Sequence, residues 1–210
     1  MAKNKNNAYI ITHIGTKRYT CRTAKNEQGE TVYPIAKRRG GRYESMVSFK
    51  DLPPYNKLKN TGRAWKYTEN YKPVMDRIVL DIDSDDLKKA FEVTKNIMQE
   101  LEEYKDSMNI YFSGSKGFHI ESITTELDII DTTVEQPKDA CPLYRNFLNY
   151  FNDKYDEVDL NIKDVGSRIF RKHHTKHEKS GNYKILVDID KSLDEILKMS
   201  KKKKKKIRIW

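Results

Sequence analysis

The sequence predicts an α+β domain. Short strand-like runs crowd the first 35 residues. A strand, a long amphipathic helix and a second strand then follow one another between residues 77 and 112. A second helix and further strand-like runs come after them.

Residues 1–7 are polar and read as a frayed terminus. Ala8–Thr12, Arg18–Cys21 and Thr31–Ile35 are strand-like, with a turn signal at Asn26–Glu30, and predict a small β-meander. Lys37–Arg42 is a basic turn that suits a phosphate contact or plain solvation. Pro53 and Pro54 interrupt regular structure. Residues 55–73 interleave cations and aromatics (Lys57, Lys59, Arg63, Trp65, Lys66, Tyr67, Tyr71). That mixture suits a single nucleic-acid strand, whose bases stack and whose phosphates pair. Trp65 and Tyr67 fit a core equally well.

Arg77-Ile78-Val79-Leu80-Asp81-Ile82-Asp83 is the stretch around which the chain is organised. Residues two apart in a strand share a face, so Asp81 and Asp83 sit side by side. Two close carboxylates repel each other, and a hard divalent cation such as Mg²⁺ or Mn²⁺ resolves the conflict. A strand that ends in a solvated acidic turn is the alternative, since Asp85 and Asp86 follow.

Asp86 is placed to cap a helix. Leu87, Ala90, Phe91, Thr94, Ile97, Met98, Leu101 and Tyr104 recur at helical spacing, predicting about five turns with one face on the core. Asn109–Phe112 is the next strand, reached by a crossover. Ser113-Gly114-Ser115-Lys116-Gly117 follows it. Two glycines permit a sharp turn, and hydroxyls, backbone N–H groups and a lysine favour an anion such as phosphate. Phe118–Glu121 returns to strand. If Phe118 and Ile120 face the core, His119 faces the site.

Residues 124–141 read as a loop or insertion. Leu143, Phe147, Leu148 and Phe151 predict a second helix, and Val158–Ile162 a strand carrying Asp159. Arg168, Arg171, Lys172, His173, His174, Lys176, His177 and Lys179 form a basic run ended by Gly181. Such a segment lines a site more readily than it fills a core. If it is extended, His177 and Lys179 point the same way. Tyr183–Val187 is a strand, and Leu193, Ile196 and Leu197 make a short last helix before the lysine run 201–206.

The chain has 210 residues, a net charge of +10 and 34% charged residues, which bounds it to one domain, or one domain with an appended lobe, with a strongly solvated surface. With a pI near 9.3 and mean hydropathy of −0.87, it points to a polyanionic partner, nucleic acid first. Cys21 and Cys141 make neither a disulfide framework nor a four-cysteine zinc site, and fit a reducing, intracellular setting. No apolar run approaches a membrane span, and the N-terminus lacks a signal-peptide core. A cytoplasmic, nucleic-acid-associated protein is expected. Its layout is one domain over residues 1–200, with a β-rich region at 1–75 and a motif-bearing core at 76–200, followed by a mobile basic tail, 201–210.

Three constellations together resemble the archaeo-eukaryotic primase superfamily, which includes small primase subunits and primase-polymerases. A hydrophobic strand ends in Asp-x-Asp at Asp81 and Asp83. Ser113 to His119 is similar to Ser-Gly-x-(Arg/Lys)-Gly-x-His. Asp159 is followed by His177, Lys179 and Gly181 in the pattern His-x-Lys-x-Gly. The resemblance covers about residues 74–187. It implies an RRM-like sheet packed against an N-terminal α/β lobe. It also implies two Mg²⁺ or Mn²⁺ ions on Asp81, Asp83 and Asp159, which would be the catalytic carboxylates. Ser113, Ser115, Lys116, His119, His177 and Lys179 would bind the triphosphate of an NTP or dNTP, with Arg168 and Arg171 in support. His119 and Lys179 are expected on the same triphosphate. The implied partner is a single-stranded DNA template, with a helicase or large primase subunit alongside.

Two departures stand out. Ser115 occupies a place that is often basic, and Lys116 one where arginine is common; lysine cannot make the bidentate fork. Too few cysteines are present for the zinc knob of chromosomal small subunits, which favours a compact enzyme of plasmid, phage or virus type. The expected function is a DNA primase or primase-polymerase. An end-joining-type repair polymerase of the same superfamily and a non-catalytic single-strand binder are the alternatives. A zinc site on His173, His174 and His177 is a further reading, without clear third and fourth ligands.

Overall fold

The structure, a computed structural model, describes residues 10–14, 21–25, 42–45, 48–49, 73–74, 77–123, 142–160 and 169–202. It is α+β, with antiparallel sheets and three α-helices among the described residues.

In the N-terminal region, β1 (Ile10–Ile14) pairs antiparallel with β2 (Cys21–Lys25) on one side and β3 (Arg42–Ser45) on the other. The order β2-β1-β3 puts the first strand in the middle, so the described strands are not a meander. Arg42, expected in a basic turn, opens β3. Thr31–Ile35, Lys37–Gly41 and the cation–aromatic stretch up to Tyr71 lie outside the described residues. β4 (Ser48–Phe49) and β5 (Pro73–Val74) form a separate two-stranded ribbon.

The central sheet holds β6 (Arg77–Asp83), β7 (Met108–Phe112), β8 (Gly117–Ile123) and β10 (Ile185–Leu186), in the order β10-β7-β8-β6. β8 runs antiparallel between β6 and β7. Beyond β6, Val158 bridges antiparallel to Ile82, with Asp83 N–H donating to Glu157 O at 2.9 Å and Asp159 N–H to Asp81 O at 2.8 Å. The strand expected over Val158–Ile162 is thus a single bridge among the described residues. β9 (Ile169–Arg171) leaves the central sheet and pairs with β3, so residues from both ends of the chain share one sheet.

Alternation sorts the central strands into two faces. Leu80, Ile82, Ile110, Phe112, Phe118 and Ile120 are buried on one. α1 (Leu87–Glu100) covers this face through Ala90, Phe91, Ile97 and Met98, with Phe91 and Phe118 ring centroids 5.5 Å apart. The Asp86 carboxylate caps α1 by accepting from Lys88 N–H at 2.9 Å. The helix is shorter than its periodicity predicts: a 3₁₀ turn over Glu102–Ser107 follows it, and Tyr104 is exposed. A run of charged residues, Glu102, Glu103, Lys105 and Asp106, gives that segment nothing to bury. α2 (Pro142–Asn152) buries Tyr144, Leu148 and Phe151; it begins at Pro142, a residue suited to a first helical turn. α3 (Leu193–Ser200) starts with a capping box between Ser192 and Glu195. Its last residue is buried and accepts from Tyr183 N–H at 2.8 Å, so the helix is tied to the sheet before the lysine run begins. No helix among the described residues is long and apolar enough to cross a membrane.

Candidate active site

The second face of the central sheet carries the polar residues. Register alone aligns Leu186, Tyr111, His119 and Asp81 as one row across four strands. The adjacent row on β8 and β6 pairs Gly117 with Asp83. Asp159 is brought to the far side of Asp81 by its backbone bond to the Asp81 carbonyl. The three carboxylates expected to act together are therefore neighbours. Their proximity has an electrostatic cost. Burial pushes the Asp81 carboxyl above its usual range; the charges of Asp83 and Asp159 push it further, against the pull of His119 and Lys184. The same Asp81 charge, after burial, raises the buried Tyr144 hydroxyl, which donates to Val79 O at 2.8 Å.

Among the described residues, no group of three or more His, Cys, Asp or Glu side chains is arranged to hold a metal ion. The donor chemistry nevertheless fits a hard cation. The charges of Asp83 and Asp159 both act on the buried Asp81 carboxyl, and carboxylate oxygens are the donors that a hard cation takes.

His119 is buried, and its imidazole is held from several sides. Nε2 lies 3.4 Å from Asp81 Oδ1, and Nδ1 lies 2.9 Å from Lys184 Nζ and 3.4 Å from Glu121 Oε1. Phe170 of β9 packs edge-on against the ring, centroids 5.1 Å apart. The condition set by the sequence is met: Phe118 and Ile120 are buried on the helix-covered face, and His119 shares the other with Asp81.

Lys184 and Glu121 are the site residues that sequence reasoning missed. Lys184 is 2% exposed, hydrogen-bonds Glu121 and lies 4.7 Å above the Tyr111 ring. A signal was present: a lysine preceding Ile185 in an apolar strand, and a glutamate two residues past His119 on the same strand face. Burial alone would raise the Glu121 carboxyl; the Lys184 ammonium leads the groups that outweigh it and hold the carboxyl at about 2. A depressed folded-state value stabilises the fold above the ordinary glutamate range, and that gain is lost as pH falls toward about 2. Glu121→Gln is accordingly expected to cost about 3 kcal/mol near neutrality, because it also strands a buried ammonium. Urea unfolding from neutral to acid pH should show the variant losing less stability on acidification than the parent.

The Ser113–Gly117 loop closes through Ser113 N–H donating to Gly117 O at 2.9 Å. Gly114 sits at φ +91°, a conformation glycine adopts without strain. Its carbonyl accepts from Ser180 Oγ, so this loop is docked on the turn His177–Gly181. Ser113 and Ser115 are half-buried; Lys116 is exposed and 3.6 Å from Asp85.

The extended course on which His177 and Lys179 would point the same way is not the one they take. They share a tight turn in which Lys179 N–H and Ser180 N–H donate to His177 Nδ1 at 3.3 and 3.2 Å. The Gly181 N–H closes that turn on the His177 carbonyl at 3.0 Å, and Gly181 itself has φ +77°. With Nδ1 accepting, the neutral ring carries its hydrogen on Nε2. Burial first, then the Arg171 charge, lower the His177 pKa and favour that neutral form. Lys179 and Asp83 also act on His177, so this turn lies within electrostatic reach of the carboxylates. Arg171, half-buried, donates to Lys176 O at 3.1 Å, while Arg168 lies outside the described residues.

The zinc reading finds no support. His173 and His174 are stacked at 3.6 Å, not spaced along a helix, and His173 Nε2 accepts from Leu186 N–H.

No protein-family model matches the chain, and no curated protein matches it. In fold it is similar to the polymerase domain from Mycobacterium tuberculosis Ligase D, solved in complex with DNA. That likeness covers 92% of this chain and 80% of the other, at a TM-score of 0.50 and 14% sequence identity.

Proposed function

We propose that this chain is a template-directed nucleotidyltransferase of the primase or primase-polymerase type, working on single-stranded DNA with NTP or dNTP. The observation that carries the reading is the arrangement around β6. His119 is registered opposite Asp81 on one side, and Asp159 is bonded beside Asp81 on the other. The order of elements supports it as well. Strand β6, helix α1, strands β7 and β8, helix α2 and the bridging segment at Val158 follow the β-α-β-β-α-β plan of an RRM-like sheet.

In this reading Asp81, Asp83 and Asp159 hold two divalent cations. When bound, these ions supply Lewis-acid stabilisation of the attacking 3′-hydroxyl and of the leaving pyrophosphate. The chain's own residues do the rest. Ser113, Ser115 and the backbone N–H groups of the glycine loop orient the triphosphate. His119 and His177 donate hydrogen bonds to it, and Lys116, Arg168, Arg171 and Lys179 offset charge that develops on its oxygens. Docking of the glycine loop on the His177 turn brings together residues some sixty positions apart, which supports a shared ligand.

A second reading is favoured by one observation. A solved structure similar in fold is the polymerase domain of a ligase, which fits an end-joining repair polymerase. One assay separates the two. A bare single-stranded template is offered without primer, beside a primed template and a pair of short overhanging ends, each with NTPs and with dNTPs. Products on the unprimed strand are expected for the primase-polymerase. Extension confined to the paired ends would establish the repair reading, and no incorporation on any substrate would overturn both.

A further inference from the structure

The Lys184–Glu121 pair lies behind His119, and the chemistry proposed above gives it no direct part. Burying a lysine is costly unless its charge is matched, so its presence beside a candidate ligand-binding histidine asks for a reason. The contacts supply one. An ammonium group has hydrogens and no lone pair, so at 2.9 Å it must donate to Nδ1 of His119. A neutral imidazole that accepts at Nδ1 carries its hydrogen on Nε2, the nitrogen facing Asp81.

We infer that Lys184, anchored by Glu121, is a positioning residue that locks His119 in its Nε2–H tautomer, so that the ring presents a donor toward the carboxylate side of the site. The link to triphosphate binding rests on the function proposed above; the tautomer does not.

The alternative is built into the same contacts. Glu121 Oε1 lies 3.4 Å from Nδ1. Without the lysine hydrogen, that carboxylate is the nearest partner for Nδ1 and competes for the ring's hydrogen with Asp81, at the same 3.4 Å from Nε2. With the hydrogen on Nδ1, Nε2 is left with a lone pair directed at Asp81 and at any phosphate beside it, which turns an attraction into a repulsion. Phe170 packs edge-on against the same ring, centroids 5.1 Å apart. The Tyr111 ring beneath Nζ and the Glu121 carboxylate hold the ammonium in place. His177 reaches the same state by another route, with two backbone N–H groups on Nδ1. Two histidines on two segments are thus set as donors by unrelated partners.

The test is long-range ¹H–¹⁵N NMR of the histidine rings in the full chain under mildly alkaline conditions, with His119 assigned by its loss in His119→Gln. The wild type is expected to show a bare Nδ1 and a protonated Nε2. Lys184→Met, nearly the same shape without the donor, is expected to move the hydrogen to Nδ1, and Lys184→Arg to restore the parent pattern. In nucleotide incorporation, Lys184→Met should raise KM for nucleotide about tenfold, the loss expected for one hydrogen bond to a charged group, with kcat nearly unchanged. A wild-type His119 carrying its hydrogen on Nδ1 overturns the inference, and so does a folded Lys184→Met with the parent tautomer. If Lys184→Met does not fold, the wild-type spectrum alone decides. A wild type with the expected tautomer but no incorporation on any template would fail the proposed function and leave the Lys184 assignment standing.

Discussion

Alanine at Asp81 or Asp83 is expected to abolish nucleotide incorporation while leaving the protein folded. The expected loss is several kcal/mol of transition-state stabilisation, at least about a thousandfold in rate. The fold should survive because these carboxylates do not hold it together. Burial and the nearby charges of Asp83 and Asp159 raise the Asp81 pKa. A carboxyl whose folded-state value is raised opposes folding while it is ionised, and that opposition fades as pH falls through the raised value. Removing it should therefore cost little stability near neutrality. A divalent cation should raise the Tm of the wild type and leave that of Asp81→Ala nearly unmoved. Thermal melts with and without Mg²⁺ or Mn²⁺, read beside primer extension, check both halves. Near-normal incorporation by a folded Asp81→Ala/Asp83→Ala protein would sink the assignment.

Gly117→Ala is expected to damage the fold and the site together. Gly117 opens β8 directly opposite Asp83. A Cβ built there runs into the Ile82 carbonyl oxygen and the Asp83 carboxylate. The carbonyl is main chain of the central strand, clamped between β8 and the Glu157–Asp159 segment, and it has no room to yield. Relief must come from parting β6 and β8, which also shifts Asp83. We expect a loss of about 3 kcal/mol in urea unfolding, at the upper end for one added methyl group. Incorporation should be lost even under conditions where the variant stays folded. Gly181→Ala is the contrasting case. Among the described residues its only close neighbour is the flexible end of Lys176, at 3.6 Å, so strain there comes from φ. Equal stability losses in the two variants would show that the crowding at Gly117 does not matter.

The glycine of the phosphate-type loop is thus explained differently by sequence and by structure. In the sequence, Ser113–Gly117 is legible as a turn because glycine frees the backbone. In the structure only Gly114 uses that freedom, through its positive φ. Gly117 is needed because it has no side chain, and that requirement arises from strand β6, more than thirty residues away in the chain.

Other misreadings have the same origin. The periodic run 87–104 was legible as a helix because the spacing of its apolar residues is local, and Asp86 caps it as its side chain predicts. Its end was not legible, because Leu101 finds the core while Tyr104, at the next apolar spacing, does not. The basic run after Asp159 reads as one lining segment. Tertiary pairing divides it into a strand on β3, a stacked histidine pair and a tight turn under the glycine loop.

By itself the sequence determined the central α+β elements, the two faces of β6 and β8, and the candidate carboxylates and histidines on the polar face. These follow from side-chain alternation and helical spacing, which act over a few residues. Only the tertiary structure decided that Asp159 reaches Asp81 through a backbone bond to its carbonyl, that the glycine loop rests on the His177 turn, and that Lys184 and Glu121 close around His119. Each of those is a meeting of segments far apart in the chain. Whether two such segments meet depends on strand order and on which buried charge finds a partner, and no local pattern of residues encodes either.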